Sequence, residues 1–162
     1  MKIGLIADTH DNLEAIDKAI EVLNEKNVEH VLHAGDLISP FSAVKFGDLE
    51  ADLHYVWGNN DGDRMAVISK FEDLDLGTYG DFGSFRFDGV RIALLHGVNE
   101  GIVEALAESK KYDVVVRGHT HERKVKKDPF VVNPGTVSGY VSDEKTMGIL
   151  DTEDMGIEIV EL

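Results

Sequence analysis

Residues 3–10, Ile3-Gly4-Leu5-Ile6-Ala7-Asp8-Thr9-His10, decide the architecture: an apolar run from Ile3 to Ala7 stops abruptly at a carboxylate and an imidazole. Alternate residues of an extended strand project to one face, so this reading lets Asp8 and His10 reach one cation together. Beyond them, Leu13, Ile16, Ala19, Ile20 and Leu23 recur at near-helical spacing. That period predicts a helix over Asn12–Lys26, packed on a sheet by its apolar face. The helix returns the chain for a parallel strand over Val31 to Ala34, so the chain opens as a βαβ unit.

Four more segments repeat the scheme of an apolar run ending in metal-ligating side chains. Gly35-Asp36 follows Val31 to Ala34, and Gly58-Asn59-Asn60-Asp61 follows Leu53 to Trp57. His96-Gly97 follows Ile92 to Leu95, and Gly118-His119-Thr120-His121 follows Val114 to Val116. The chemistry is thereby expected at strand ends. Glycines beside Asp36, Asn59, His96 and His119 let the backbone turn sharply and crowd close to a bound ion.

Shorter helices are expected over Pro40 to Phe46 and Asp63 to Phe71, with a more amphipathic one over Glu100 to Ser109. Ser84 to Phe87 and Val90 to Leu95 flank Asp88-Gly89, a two-residue hairpin signal in which both turn residues tolerate positive φ. Further strands fit Lys124 to Lys126, Phe130 to Val132, Thr146 to Leu150 and Gly156 to Glu161. The pattern supports an α/β class, two packed sheets with helices outside.

The 162 residues, 43% of them hydrophobic, suit one compact domain spanning 1–162 with a sizeable core. No repeat or Pro-rich linker divides them. No apolar stretch of about 20 residues is present to span a bilayer, and the N-terminus carries a ligand pair in place of a cleavable signal; no membrane association and a cytoplasmic location are expected. Cysteine is absent, which excludes disulfides, thiolate ligands and cysteine nucleophiles, so any metal must be held by oxygen and nitrogen. The formal charge of −15 argues against long nucleic acid as a partner, because backbone binding needs clustered Lys and Arg. Most acidic residues read as a solubilising surface.

The ordered pattern D-x-H, G-D, G-N-N-D, H-G and G-H-x-H resembles the calcineurin-like metallophosphoesterase superfamily over the whole chain, and its small, YfcE-like archaeal and bacterial phosphodiesterase branch above all. The resemblance implies a four-layer α/β/β/α sandwich of two mixed sheets flanked by helices. It also implies two divalent metal ions, Mn first, with Ni, Co, Fe or Zn as alternatives. Carried over residue by residue, Asp8, His10, Asp36 and His121 would hold one metal, and Asp36, Asn59, His96 and His119 the other. Asp36 would bridge, because the two oxygens of a carboxylate can hold cations about 3.5–4 Å apart. A hydroxide between the metals would attack phosphorus, which makes two-metal phosphodiester hydrolysis the expected function.

Asn60 departs from the family pattern, which has His in G-N-H-D/E, expected to contact phosphate and assist leaving-group departure. Asn cannot supply that proton, although its amide can hydrogen-bond a phosphoryl oxygen. Asn60, Asp36 and Asn59 are therefore the candidate catalytic residues, and phosphodiesters are expected to outperform phosphomonoesters. Phosphomonoesterase activity at the same site is the nearest alternative. A non-catalytic protein-binding scaffold, as in the retromer subunit of this fold, is the more distant one.

Other polar residues carry weaker expectations. Asp61 could support a ligand loop or form an Asx turn with Gly62. Arg64 reads as a solvated helix-start residue. Arg117 could face a sheet interface or the site. Asp11 and Asn12 read as helix caps, and His30, His33 and His54 as structural or surface residues. Asn133-Pro134-Gly135-Thr136 resembles a loop of this branch that closes one side of the cleft, and a tight turn explains its Pro-Gly pair equally well. Phe130 to Val132 could be core or a subunit contact, so a homo-oligomer stays open. No G-x-S-x-G surrounds Ser39 or Ser138, which excludes a serine nucleophile elbow.

Overall fold

A computed structural model describes residues 1–162. Strand β1 (Lys2–Ile6) leads into helix α1 (Leu13–Glu25), which returns the chain to β2 (His30–His33) beside and parallel to β1. Helix α2 (Pro40–Lys45) precedes β3 (Asp52–Tyr55), and α3 (Arg64–Asp73) precedes the two-residue β4 (Gly77–Thr78). The chain then forms β5 (Phe82–Phe87), β6 (Val90–Leu95), α4 (Glu100–Glu108) and β7 (Val114–Val116). The last strands are β8 (Lys124–Lys127), β9 (Phe130–Asn133), β10 (Thr146–Asp151) and β11 (Gly156–Glu161).

These strands build two mixed sheets, ordered β11-β10-β1-β2-β3-β4 and β5-β6-β7-β9-β8. Side-chain alternation explains how they stack. Ile3 and Leu5 of β1, Leu32 of β2, Ile92 and Leu94 of β6, and Val114 and Val116 of β7 share one buried cluster between the sheets. Their neighbours point the other way: Ile6, Val31 and Leu53 pack with Ile16, Ala19 and Leu23 of α1 and Val67 and Phe71 of α3. Across the molecule Ala93, Leu95 and Val115 pack against Val103 and Ala107 of α4. Both sheets bury both faces, so four layers result, α/β/β/α, as the family resemblance implies.

The α1 periodicity gives the helix expected of it, capped by Asn12, whose side chain accepts from Ala15 N–H. Asp11 does not cap; its Oδ1 accepts from Ser39 Oγ (2.8 Å) and Ser42 Oγ (2.6 Å) and ties the start of α1 to α2. The β5–β6 hairpin forms at Asp88 (φ 47°) and Gly89 (φ 85°) in full register. Strand β4 carries no sequence signal because it is two residues long. The exposed edge strand β8 reads Lys-Val-Lys-Lys, and such charge discourages pairing with another sheet.

Candidate metal centre

Strands β1, β2, β3, β6 and β7 all end on the same side of the sandwich, and their five following loops converge there. Ligand sites outside the carboxyl ends of parallel strands are the general rule for open α/β sheets. The loop backbone is unusual. Asp8 (φ 54°), His10 (43°), Asp36 (60°), His119 (72°) and His121 (59°) all occupy the left-handed region, and so does the β-branched Ile38 (93°). Each such residue costs about 1–3 kcal/mol and persists only where its surroundings over-determine it. Strand alternation is therefore not what aims Asp8 and His10: β1 ends at Ile6, and left-handed turns place both side chains while Thr9 points inward to His33.

Several contacts lock those turns. Asp8 N–H donates to Gly35 O (3.0 Å) and His10 N–H to Asp36 O (3.0 Å). The Asp61 carboxylate accepts from three backbone amides, Asp36 (3.1 Å), Gly58 (2.5 Å) and Ile38 (2.8 Å). Asp61 thus fastens the β2 loop to the β3 loop, the supporting one of its two expected roles. At Gly58 a Cβ would collide with the Asp36 carboxylate, so glycine is required there by close approach.

The polar atoms that converge are those of six expected ligands. His10 Nε2 and His121 Nε2 lie 3.2 Å apart, and Asp8 Oδ1 lies 3.4 Å from His121 Nε2 and 3.8 Å from His10 Nε2. Asp36 Oδ2 stands 3.5 Å from His10 Nε2 and 3.3 Å from His96 Nε2, and Asn59 Oδ1 stands 3.0 Å from His96 Nε2. Asp8, His10 and His121 form one group able to hold an ion, and Asp8, Asp36 and His96 another. Asp36 Oδ2 faces imidazoles of both groups, while its Oδ1 accepts from Asn60 N–H (2.8 Å). Asp36 thus faces both groups through one oxygen, not two, and Asp8 is the carboxylate common to both groups. His119 contributes no nitrogen to either group; its ring packs edge-on against His96, centroids 5.1 Å apart.

These atoms fit divalent cations. His96 Nδ1–H donates to Ala34 O (2.7 Å), which leaves the lone pair on Nε2 facing two further acceptors, Asp36 Oδ2 and Asn59 Oδ1. Positive charge at this point, a cation or a proton on Nε2, reconciles the three. Asp8 Oδ1 is fully buried and has no hydrogen-bond donor, an expense that a cation removes. Ligands about 2.1 Å from a common ion stand about 3.0–3.4 Å apart, close to the spacings above.

Ionisation follows the contacts of each group. Burial disfavours the His96 imidazolium, but hydrogen bonding to Asp36 and its charge outweigh burial and raise the His96 pKa. Burial likewise opposes ionisation of Asp36, yet hydrogen bonds from His96 and Asn60 hold it well below the usual carboxylate range. Burial first, then the His96 charge, lowers the His119 pKa, and neutral imidazole is the form that binds metal.

Residues without a motif signal brace the loops. Arg117, 6% exposed, donates through Nη2 to Gly97 O (2.7 Å) and Nε to Gly118 O (3.0 Å), and it pairs with Glu100. It joins the His96 and His119 loops and makes no hydrogen bond to a candidate ligand side chain. Asn133 Nδ2 donates to Gly118 O (3.0 Å) and Thr120 Oγ1 (2.9 Å), and Thr136 Oγ donates to Asp8 O (2.8 Å). The Asn133–Thr136 loop is buried, and these hydrogen bonds let it support the ligand loops. His33 is fully buried; Gly35 N–H donates to its Nδ1 (3.1 Å), and burial lowers its pKa to about 4. Asn60 Nδ2 donates to Asp36 Oδ2 (2.8 Å), so its amide grips the carboxylate that stands between His10 and His96.

Known proteins share this arrangement. A phosphodiesterase of Methanocaldococcus jannaschii is 42% identical over 156 residues, covering 94% of each chain. A solved archaeal phosphodiesterase superposes with a TM-score of 0.94 at 41% identity, covering both chains completely. YfcE, a phosphoesterase from E. coli, shares the fold at a TM-score of 0.68 and 19% identity over 99% of this chain and 98% of its own. Residues 1–155 match the calcineurin-like phosphoesterase superfamily domain. With the motif order, the four layers and the convergent loops in agreement, this chain belongs to the calcineurin-like phosphoesterase superfamily and is a metal-dependent phosphoester hydrolase.

Proposed function

We propose that this protein hydrolyses small phosphodiesters at a two-cation centre. Asp8, His10, Asp36 and His121 hold one ion, and Asp36, Asn59 and His96 hold the other, with His119 the one expected ligand of the second ion whose nitrogen stands outside both groups. The carrying observation is the Asp36 Oδ2 atom, which stands 3.5 Å from His10 Nε2 and 3.3 Å from His96 Nε2 between the two groups. The phosphodiesterases at 41–42% identity support the diester reading. The donor set of carboxylates, imidazoles and an amide oxygen suits Mn, and Ni, Co, Fe or Zn can take the same ligands.

Bound divalent ions supply Lewis acidity to phosphoryl oxygens and lower the pKa of coordinated water from about 15.7 towards 7. The protein's own residues do the rest. Asn60 keeps Asp36 ionised by donating to both of its oxygens. Asp61 and Arg117 hold the ligand loops in place, so geometry is fixed before substrate arrives. Asn60 offers no proton to a departing oxygen. Substrates whose leaving group is stable as an anion are therefore favoured, aryl-type diesters above alkyl monoesters.

The test strips the metals and then restores Mn, Ni, Co, Zn or Mg separately, with an activated aryl phosphodiester and its matched monoester as substrates. Diester turnover that exceeds monoester turnover and vanishes in Asp36→Asn supports the proposal. Hydrolysis of neither compound by folded, metal-loaded protein overturns it and moves a protein-binding role ahead.

A further inference from the structure

Beside the candidate metal centre lies a cleft of about 580 Å³, a size that suits small-molecule ligands. Trp57, Phe82, Leu95, Val98, Ile102 and Leu106 wall it, and Asn59 and His96 also line it. The cleft thus shares two residues with the cation site. Trp57 and Leu95 are 8% and 7% exposed, whereas Phe82, Val98 and Ile102 stay 40%, 57% and 53% exposed. Apolar side chains left this open need an occupant.

Arg64 is the cleft's one cationic lining residue, in a chain of formal charge −15. Its guanidinium lies 5.1 Å from the Trp57 ring centroid, 3.6 Å from Asp81 and 3.3 Å from Gly58 O. Aromatic faces, apolar walls and a stacked guanidinium select for a flat, weakly polar ring. A second copy of this chain seated on these walls would cover Asn59 and His96.

Resting on the function proposed above, we infer that this cleft is the subsite for one ester arm of the substrate and that it takes a planar aromatic group. The substrate class is then a phosphodiester with an aryl or nucleobase-bearing arm. The ring shields the exposed walls while its phosphoryl group stays at the cation site.

Calorimetry on Mn-loaded protein tests this without turnover. Phenylphosphonate is compared with methylphosphonate, and thymidine monophosphate with deoxyribose phosphate, so that a simple aryl arm and a nucleobase arm are read separately. In at least one pair the ring-bearing compound is expected to bind about tenfold tighter or better, as burial of a ring on apolar walls implies. Ile102→Glu should collapse that ratio towards one, and Val98→Asp should do the same if the first variant fails to fold. Equal affinities within both pairs in the wild type overturn the inference, even if diester turnover is found. So does a folded variant that weakens both compounds equally, or one that lowers the molecular mass in light scattering without changing the ratio, which would assign the face to a second copy. A clear ring preference in protein that hydrolyses no diester would overturn the proposed function and leave the subsite standing.

Discussion

At the residue scale, Asn60 and Arg117 act through other groups. Asn60 donates through its backbone and side-chain nitrogens to the two oxygens of Asp36, so its amide is engaged by that carboxylate. General acid–base assistance is typically worth about 10²–10⁴ in rate. Asn60→His is accordingly expected to raise kcat/KM on a poor-leaving alkyl monoester by about 10², and no gain in a correctly folded, metal-loaded variant would sink the proton-donor account. Arg117 fastens two carbonyls at the loops of His96 and His119. Arg117→Met should lower stability by about 2 kcal/mol, since hydrogen bonds to charged groups are worth about 1.5–3 kcal/mol. It should also weaken Mn binding about 10–100-fold in a chelator competition, the usual range for residues that support ligands. Arg117→Lys should not restore either, because a point charge cannot span two carbonyls. Unchanged metal affinity in the Met variant would leave Arg117 a purely structural residue.

At the scale of elements, strand β3 shows how a strand histidine becomes sensitive to acid. His54 of β3 contacts Tyr79 Oη through Nδ1 (3.0 Å) and His30 Nδ1 through Nε2 (3.2 Å), with Phe85 and Phe87 of β5 beside it. Burial, then the nearby His30 charge, lowers its pKa to about 4, against a partial opposing pull from Asp52. In the fold His54 is neutral between pH 4 and about 6.5, while the unfolded chain takes up a proton there. More protons bound to the unfolded state means that stability falls as pH drops through that window. The urea midpoint of wild type should therefore decline from pH 6.5 to 4, and His54→Gln should flatten part of that decline; parallel profiles for the two proteins would refute the assignment. Helices α1 and α4 and the β5–β6 hairpin were legible because period and turn chemistry are local. Strand β4 and the Asp11 contacts were not, since their partners lie far along the chain: Asp11 meets Ser39 and Ser42.

For the whole molecule, the candidate ligands come from both sheets: Asp8, His10, Asp36 and Asn59 follow strands of one, and His96, His119 and His121 follow strands of the other. Bound cations would pin the two sheets together, so metal and fold stability are linked. At 100 times Kd a ligand adds about 2.7 kcal/mol, which for a chain of this size corresponds to about 5–10 °C in Tm. Mn should raise the Tm of chelator-stripped wild type by that amount and leave Asp36→Asn nearly unmoved. An equal shift in both proteins would mean that Mn acts elsewhere on the acidic surface. The amino-acid sequence by itself determined the layered α/β class, the family and the five loops that bear ligands, because periodicity and short motifs are properties of neighbours in the chain. Tertiary structure alone decided that Asp36 faces both groups through one oxygen, that left-handed turns and not strand alternation aim Asp8 and His10, that Asp61, Arg117 and Asn133 hold the loops, and that an apolar cleft opens beside His96. Those facts depend on approach between segments as distant as Asp8 and His119, where Asp8 Oδ2 accepts from the His119 amide at 3.0 Å, and such distances exist only once the two sheets have packed.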